Sequence, residues 1–252
     1  YATAMAGLDV VLLDMEQAGA DKGKAYTEGL LKKRVSRKRM DQAAADATLA
    51  RIHATTNFAD LAGCELVIEA VFEDRGIKAD VTRKALAVTG DGITFASNTS
   101  TLPITGLSEA SPRPDNFIGL HFFSPVDKMP LVEIIMGTGT SDETLAKAID
   151  YVKAIRKTPI VVKDSRGFYT SRVFATYVRE GLALLADGVA PALIENAGKM
   201  AGMPVGPLGM ADEVSIDLMY KIGKQTREDM GDDYVEVPGD ELVRTMVEDL
   251  GR

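Results

Sequence analysis

The 252-residue sequence contains no tryptophan, two histidines and a single cysteine, Cys64. One cysteine cannot form a disulfide within the chain, which favours a reducing compartment. The longest apolar runs span about eight residues, against the ~20 that a membrane helix requires, so no membrane span is predicted. A formal net charge of −8 disfavours general binding to nucleic acids or anionic membranes. An anionic ligand would therefore need a local cluster of positive charge.

Short apolar runs alternate with helical patterns over roughly the first two thirds of the chain. Helical patterns cover residues 16–51, 74–88 and 141–155. The runs predicted to be strands are GLDVVLLD, CELVIEAV, ITFASN, NFIGLHFF, LVEIIM and TPIVVKD. This alternation predicts an α/β fold with a doubly wound, mainly parallel sheet.

From Gly167 onward the sequence has helical patterns and no convincing strand. One helix should carry an apolar stripe and end at Asp187-Gly188, and the next should begin with Pro191 in its first turn. A further helical pattern covers residues 212–230. We therefore expect two domains, an α/β domain over residues 1–164 and an all-α domain over residues 165–252.

Polar side chains follow the ends of several predicted strands. Asp14 ends the first strand, Glu73 follows the second, and Asn98 and Ser100 lie in the loop SNTSTLP after the third. Ligands bind at the carboxyl edge of doubly wound sheets, where an acid can accept hydrogen bonds from a ribose. Taken singly, these residues also fit strand ends, helix caps and turns. The glycine-rich phosphate turn G-x-G-x-x-G is absent from the sequence.

Two polar residues interrupt the next pair of apolar runs. His121 lies near the end of NFIGLHFF, and Glu133 lies inside LVEIIM. The connecting loop is short, so the two strands can be antiparallel neighbours that bring the carboxylate to the imidazole. A carboxylate on one ring nitrogen fixes the tautomer and raises basicity, as general-base catalysis requires. On these residues alone, a structural histidine beside a solvated acid is the commoner arrangement.

The run LKKRVSRKRM (Leu31–Met40) is densely basic in an otherwise acidic protein. Such a run is usually a solvated helix face. Its contrast with the net charge also suits a binding surface for a phosphate-rich ligand.

Four longer motifs, ASNTSTLPI, GLHFFSPVDKMPLVEII, KTPIVVKDSRGFYTSRV and AGMPVGPLG, resemble signatures of the 3-hydroxyacyl-CoA dehydrogenases in their order and spacing. The chain looks most like the dehydrogenase region of the multifunctional fatty-acid-oxidation alpha subunits, over essentially its whole length. The resemblance implies a Rossmann-like domain that binds NAD and a helical domain that binds substrate and commonly forms homodimers. It also implies oxidation of (3S)-3-hydroxyacyl-CoA, an acyl-CoA substrate, to 3-ketoacyl-CoA in fatty acid β-oxidation.

The resemblance implies roles for individual residues. His121 would take the hydroxyl proton, Glu133 would stabilise the imidazolium, and Ser100 would hydrogen-bond the reacting oxygen. Basic residues in the 22–39 region would meet the coenzyme A phosphates. The residues at or near the family's cofactor positions are Asp14, Glu73, Lys78 and Asn98.

One residue departs from the family pattern. The family usually has asparagine, which orients substrate and nicotinamide, where GFYTSR has Ser171. Serine is shorter but still donates and accepts hydrogen bonds, so we expect an active site that includes Ser171. Two alternatives stay open: a non-catalytic structural relative, as the lambda-crystallins are, and a dehydrogenase restricted to 3-hydroxybutyryl-CoA.

The resemblance also bears on context and on the start of the chain. An enoyl-CoA hydratase domain upstream, a thiolase partner, and a bacterial cytoplasm or a mitochondrial matrix are expected. The family's first strand and its glycine turn would lie before Tyr1. We therefore expect DVVLLD and ELVIEAV to face each other without pairing, which leaves the sheet discontinuous, and NAD binding to be weak.

Overall fold

The computed structural model describes residues 1–251, and for Asp229 only the backbone. These residues form two compact units, Tyr1–Tyr169 and a second unit that begins at Thr170. The assignment of domains to residues 1–164 and 165–252 remains a prediction.

The first unit contains two sheets. The strands are β1 (Val10–Leu13), β2 (Ile52–Thr55), β3 (Leu66–Glu69), β4 (Thr94–Ser97), β5 (Phe117–Phe122), β6 (Leu131–Met136) and β7 (Thr158–Lys163). β1 and β2 form a parallel pair, and the second sheet has the order β3-β4-β5-β6-β7. Every neighbouring pair in the described sheets is parallel except β5 and β6.

The predicted break in the sheet is confirmed, because β1 and β3 belong to different sheets. The mainly parallel arrangement and the antiparallel pairing of β5 with β6 are confirmed as well. β2 was not predicted; its four residues, IHAT, come directly after the helical region predicted over residues 16–51.

Helices pack around these sheets. They are α1 (Ala2–Met5), α2 (Gln17–Ser36), α3 (Gln42–Ala50), α4 (Arg75–Thr89), α5 (Ile104–Ser108) and α6 (Asp142–Ala154). The prediction of one helical region over residues 16–51 was wrong, because Lys38 has a φ of 54° and Asp41 begins a new helix. The Asp41 carboxylate accepts a hydrogen bond from Ala44 N–H at 2.7 Å, which is a typical N-cap.

The core of the first unit lies on both faces of the five-stranded sheet. Phe95, Phe117 and Phe168 belong to a cluster on one face, and Leu120 and Ile134 belong to a cluster on the other. A sheet covered on both faces requires apolar residues at successive positions, which explains why β5 and β6 read as continuous apolar runs. A polar side chain in these strands is therefore buried.

The second unit is helical throughout the residues described. It comprises α7 (Thr170–Ala186), α8 (Pro191–Met200), α9 (Pro207–Val214), α10 (Ile216–Met230) and α11 (Pro238–Glu248). Val178, Leu182, Ala211 and Val243 form its buried core. The helix predicted over residues 212–230 is divided at Ser215, which has a φ of 80°. The α/β fold followed by helices is confirmed.

Candidate active site

His121 and Glu133 form a buried pair. The register of β5 and β6 places them directly opposite each other, so both side chains lie on one face of the sheet. The distance between His121 Nδ1 and Glu133 Oε2 is 2.7 Å, and the two side chains are 7% and 0% exposed. An ionised carboxylate can only accept a hydrogen bond, so it selects the tautomer with hydrogen on Nδ1. Nε2 is then the nitrogen that can take a proton.

The second oxygen of Glu133 is held by the backbone. Tyr169 N–H donates a hydrogen bond to Glu133 Oε1 at 3.1 Å. The loop reaches this position through two left-handed residues, Gly167 with a φ of 70° and Phe168 with a φ of 48°. A left-handed residue with a side chain costs about 1–2 kcal/mol. The Phe168 ring is 1% exposed, and burial of such a ring contributes about 1.5–3 kcal/mol, which offsets that cost.

Two aromatic rings pack beside the imidazole. The ring centroid of Phe123 lies 4.5 Å from that of His121, and the centroid of Phe168 lies 6.0 Å from it. They confine the imidazole to one orientation, which general-base catalysis requires of a proton acceptor.

The loop after β4 lies beside β5, the strand that carries His121. β4 pairs with β5 in parallel, with Ser97 opposite Gly119. The side chain of Asn98 accepts a hydrogen bond from Phe122 N–H at 2.8 Å, which joins the loop to the residue after His121. The loop therefore follows β4 at the sheet edge where His121 lies.

Glu73 holds this loop through one oxygen. Its Oε1 accepts hydrogen bonds from Ser100 N–H at 2.7 Å and from Thr99 Oγ1 at 2.8 Å. Thr99 Oγ1 in turn accepts a hydrogen bond from Leu102 N–H at 3.0 Å. The Ser100 residue itself is exposed. The backbone at Ser100 is thus fixed by a charged acceptor.

Lys78 connects Glu73 to a second, buried carboxylate. Lys78 Nζ lies 3.2 and 3.1 Å from the two carboxylate oxygens of Glu69, 3.2 Å from Val71 O and 3.3 Å from Glu73 Oε2. Glu69 also accepts a hydrogen bond from Ser97 Oγ. The structure therefore brings four predicted residues together with His121 and Glu133 at one edge of the sheet, namely Glu73, Lys78, Asn98 and Ser100.

Asp14 lies apart from this hydrogen-bonded network. It follows β1 in the smaller sheet, is exposed, and accepts a hydrogen bond from Glu16 N–H at 3.2 Å. A Cβ atom added to Gly19 would lie 2.6 Å from the Asp14 carboxyl carbon, so a glycine at position 19 leaves room for this carboxylate. Ser171 is half-buried in the first turn of α7, in the second unit.

The basic run occupies the C-terminal end of α2 and the turn that follows it. Lys32 forms an ion pair with Glu28 at 2.5 Å. Arg34 Nε is buried and has no hydrogen-bond partner among the described residues. Basic side chains at this end also complement the helix dipole, as a solvated face would.

Sequence reasoning assigned no role to several groups that position the site. Glu69 stood out only as one of three acids, with Glu73 and Asp74, at the carboxyl end of the second predicted strand, where satisfying a helix dipole is the commoner role. The Tyr169 amide gives no sequence signal beyond the neighbouring Gly167, because backbone donors are invisible in a sequence. Asp74, by contrast, proves to be a helix cap that accepts from Ile77 N–H at 2.8 Å.

Other kinds of site are not evident in the part of the chain that the structure describes. Among the side chains described, no three from His, Cys, Asp or Glu are grouped as metal ligands. The helices of the same residues include none long and apolar enough to cross a bilayer.

A mainly parallel sheet with polar side chains at the carboxyl ends of its strands is typical of dinucleotide-binding enzymes, and a histidine held by a carboxylate can serve such an enzyme as a general base. Residues 1–165 match the family model "3-hydroxyacyl-CoA dehydrogenase, NAD binding domain", and residues 167–251 match the model of the C-terminal domain. The chain therefore belongs to the 3-hydroxyacyl-CoA dehydrogenase family, as its motifs predicted, and its cofactor is NAD.

Individual relatives agree with this assignment. The fatty acid oxidation complex subunit alpha of Shewanella baltica is 40% identical over 232 residues, which are 92% of this chain and 33% of that protein. The chain thus spans about a third of the length of the curated relatives it matches. (S)-3-hydroxybutyryl-CoA dehydrogenase PaaH1 from Ralstonia eutropha has a TM-score of 0.90 and 34% identity, covering 100% of this chain and 91% of that chain. FadB2 of M. tuberculosis has a TM-score of 0.86 and 29% identity, covering 98% and 88%.

Proposed function

We propose that this chain oxidises the 3-hydroxyl group of (3S)-3-hydroxyacyl-CoA to a ketone in fatty acid β-oxidation. The observation that carries the proposal is the buried pair of His121 and Glu133. His121 Nε2 takes the hydroxyl proton, and Glu133 stabilises the imidazolium that forms. Ser100 donates a hydrogen bond to the reacting oxygen. When bound, NAD supplies the acceptor for the hydride that leaves carbon 3.

We infer the residues that would bind the cofactor from their chemistry and their positions. The exposed carboxylate of Asp14 at the end of β1 suits the ribose hydroxyls, and Gly19 leaves room beside it. Glu73, Lys78 and Asn98 lie beside the catalytic pair and would contribute on the nicotinamide side. Ser171 would help to orient the substrate from α7. The basic run in the 22–39 region would meet the phosphates of coenzyme A.

The intact pair favours an enzyme over a structural relative, because a structural role does not need a buried carboxylate on an imidazole. The length of the acyl chain that the enzyme prefers is a separate question. Likeness to a 3-hydroxybutyryl-CoA dehydrogenase favours short chains, and likeness to a fatty acid oxidation subunit favours a broader range. Rates with acyl chains of increasing length distinguish these two alternatives.

The assay is NADH oxidation with acetoacetyl-CoA, comparing the native chain with His121→Ala. We expect the variant to lose most of its activity, and equal rates would overturn the proposal. His53→Ala is the matched control, because His53 is the other histidine and its side chain is 63% exposed.

The context is proposed from the relatives. A hydratase domain before this region, a thiolase partner, a homodimer formed through the helical unit and a bacterial cytoplasm all fit a fatty acid oxidation complex. Size-exclusion chromatography and co-purification of the full-length protein test these points. A monomer without bound thiolase would contradict them.

A further inference from the structure

Glu69, Lys78 and Glu73 form a cluster of three charged side chains, two of which are buried. Lys78 and Glu69 have side chains that are only 3% and 2% exposed, whereas the Glu73 side chain is 40% exposed. Burial of an ion pair is costly unless the remaining hydrogen-bonding groups are also satisfied. Here they are satisfied, because Glu69 accepts from Ser97 Oγ and from Val71 N–H, and Lys78 donates to Val71 O.

The contacts of Lys78 show where its ammonium group is directed. Two of its acceptors belong to Glu69 and one to the backbone, and the fourth contact is Glu73 Oε2 at 3.3 Å. An ammonium group has three hydrogens, so these contacts already share all of its donors. The ammonium group of Lys78 is therefore directed at Glu69 and Glu73 before any cofactor binds.

Glu73 links the ammonium group of Lys78 to the loop that carries Ser100. One oxygen of Glu73 faces Lys78, and the other accepts hydrogen bonds from Ser100 N–H and Thr99 Oγ1. A half-exposed glutamate would otherwise sample several rotamers. With both oxygens engaged, Glu73 has one orientation, and so does the backbone that carries the Ser100 hydroxyl.

We propose that Glu69 and Lys78 are positioning residues that fix Glu73 and thereby place Ser100 for the reaction. The proposal deepens the function proposed above and rests on it where turnover is concerned. Glu69 holds the ammonium group of Lys78 in place, and Lys78 holds the outer oxygen of Glu73. A shift of about 1 Å in a catalytic group can cost on the order of a hundredfold in rate.

Positioning and simple stabilisation predict different results for paired substitutions. Lys78→Met leaves two carboxylates without their cation and should lower both the melting temperature and kcat. Glu69→Gln leaves the ammonium group without its buried partner and should do the same. The double variant Glu69→Gln/Lys78→Met removes both buried charges, so the melting temperature should recover most of the loss. Glu73 then still lacks Lys78, so kcat at saturating NADH should stay about tenfold to a hundredfold low, whereas the loss of a cofactor contact alone would raise the KM for NADH.

A second measurement does not depend on turnover. The amide proton of Ser100 bonds to a charged carboxylate, so its chemical shift and exchange rate in the free protein report on Glu73. Both should change in Lys78→Met and in the double variant. Lys84→Met is the matched control, because Lys84 lies on the same helix in an exposed ion pair with Asp80. It should leave the Ser100 amide, the melting temperature and kcat unchanged.

The experiment is therefore calorimetry, amide NMR and NADH-dependent turnover of acetoacetyl-CoA on the wild type and these four variants. A double variant with low kcat and an altered Ser100 amide, but near-native melting temperature, supports the proposal. Recovery of all three properties would show that the pair only stabilises the fold. A double variant as unstable as the single ones would contradict the pairing itself. If the wild type turns over no substrate, the proposed function fails, while the amide and melting data still decide the positioning role.

Discussion

The Glu133 carboxylate is completely buried, yet its oxygens are occupied by donors from two parts of the chain. His121 Nδ1 contacts one oxygen and Tyr169 N–H the other. A buried carboxylate without such partners would bear a desolvation cost of several kcal/mol. The carboxylate and the imidazole are consequently one preorganised unit, ready to hold a proton before substrate arrives.

Glu133→Gln tests this unit at the scale of one atom. The amide keeps the volume of the side chain but loses the charge that stabilises an imidazolium. Turnover should fall by roughly ten- to ten-thousand-fold while the fold persists. Steady-state rates and circular dichroism measure the two effects. Glu143→Gln is the control, because that glutamate lies in an exposed pair with Lys147, and equal losses in both variants would contradict the prediction.

Ser171→Asn tests the departure from the family pattern. If serine is a tolerated substitute, turnover of the variant should differ from wild type by less than about tenfold, or ~1.4 kcal/mol. Measurement of kcat and KM with acetoacetyl-CoA is sufficient. A thousandfold gain would show instead that serine handicaps this site or that the site serves another substrate.

At the scale of elements, the loop between β7 and α7 supplies the Tyr169 amide through a left-handed turn. Gly167→Ala places a Cβ on a residue with a φ of 70° and should destabilise the protein by about 1–2 kcal/mol. It should also lower turnover, because the Tyr169 amide moves away from Glu133.

Substitution of a second glycine should change stability in the opposite direction. In Gly29→Ala, within α2, the added Cβ meets nothing within 4 Å, so the helix should gain about 0.5–1 kcal/mol. Urea unfolding of Gly167→Ala and Gly29→Ala measures the change in the free energy of unfolding for each variant. A stable, fully active Gly167→Ala variant would show that the left-handed turn is not required.

The sequence predicted those elements whose apolar pattern is continuous. Six of the strands, the antiparallel pairing of β5 with β6 and the site of His121 and Glu133 follow from runs and interruptions that are local. Two helical regions were predicted too long because Lys38 and Ser215 adopt positive φ, a conformation such residues rarely take. β2 was not predicted because it has only four residues, two of which are polar. Backbone donors such as Tyr169 N–H depend on tertiary geometry and could not be inferred.

At the scale of the whole molecule, stability should depend on pH through a partly buried phenol. Burial raises the pKa of Tyr151 above the ordinary 10.0, although its hydrogen bond with Thr3 acts in the opposite direction. The folded state holds the phenol proton more tightly than the unfolded chain. Its contribution to stability is therefore complete below pH 10 and is lost as the pH rises through the folded-state value.

Urea unfolding between pH 8 and pH 11 measures this loss. Stability of Tyr151→Phe should fall less steeply with pH than that of the wild type, since phenylalanine has no proton to lose. Tyr169→Phe, at a 59% exposed tyrosine, serves as the comparison. Parallel curves for the wild type and Tyr151→Phe would contradict the assignment.

The pairing of His121 with Glu133 also makes catalysis a test of strand alignment. If β6 paired with β5 one residue out of register, Glu133 would turn to the opposite face of the sheet and leave the imidazole. A refolding chain in that state would regain its circular dichroism without regaining activity. Turnover thus distinguishes a correctly aligned β5–β6 pair from a merely extended one, which no spectroscopic measure of strand content can do.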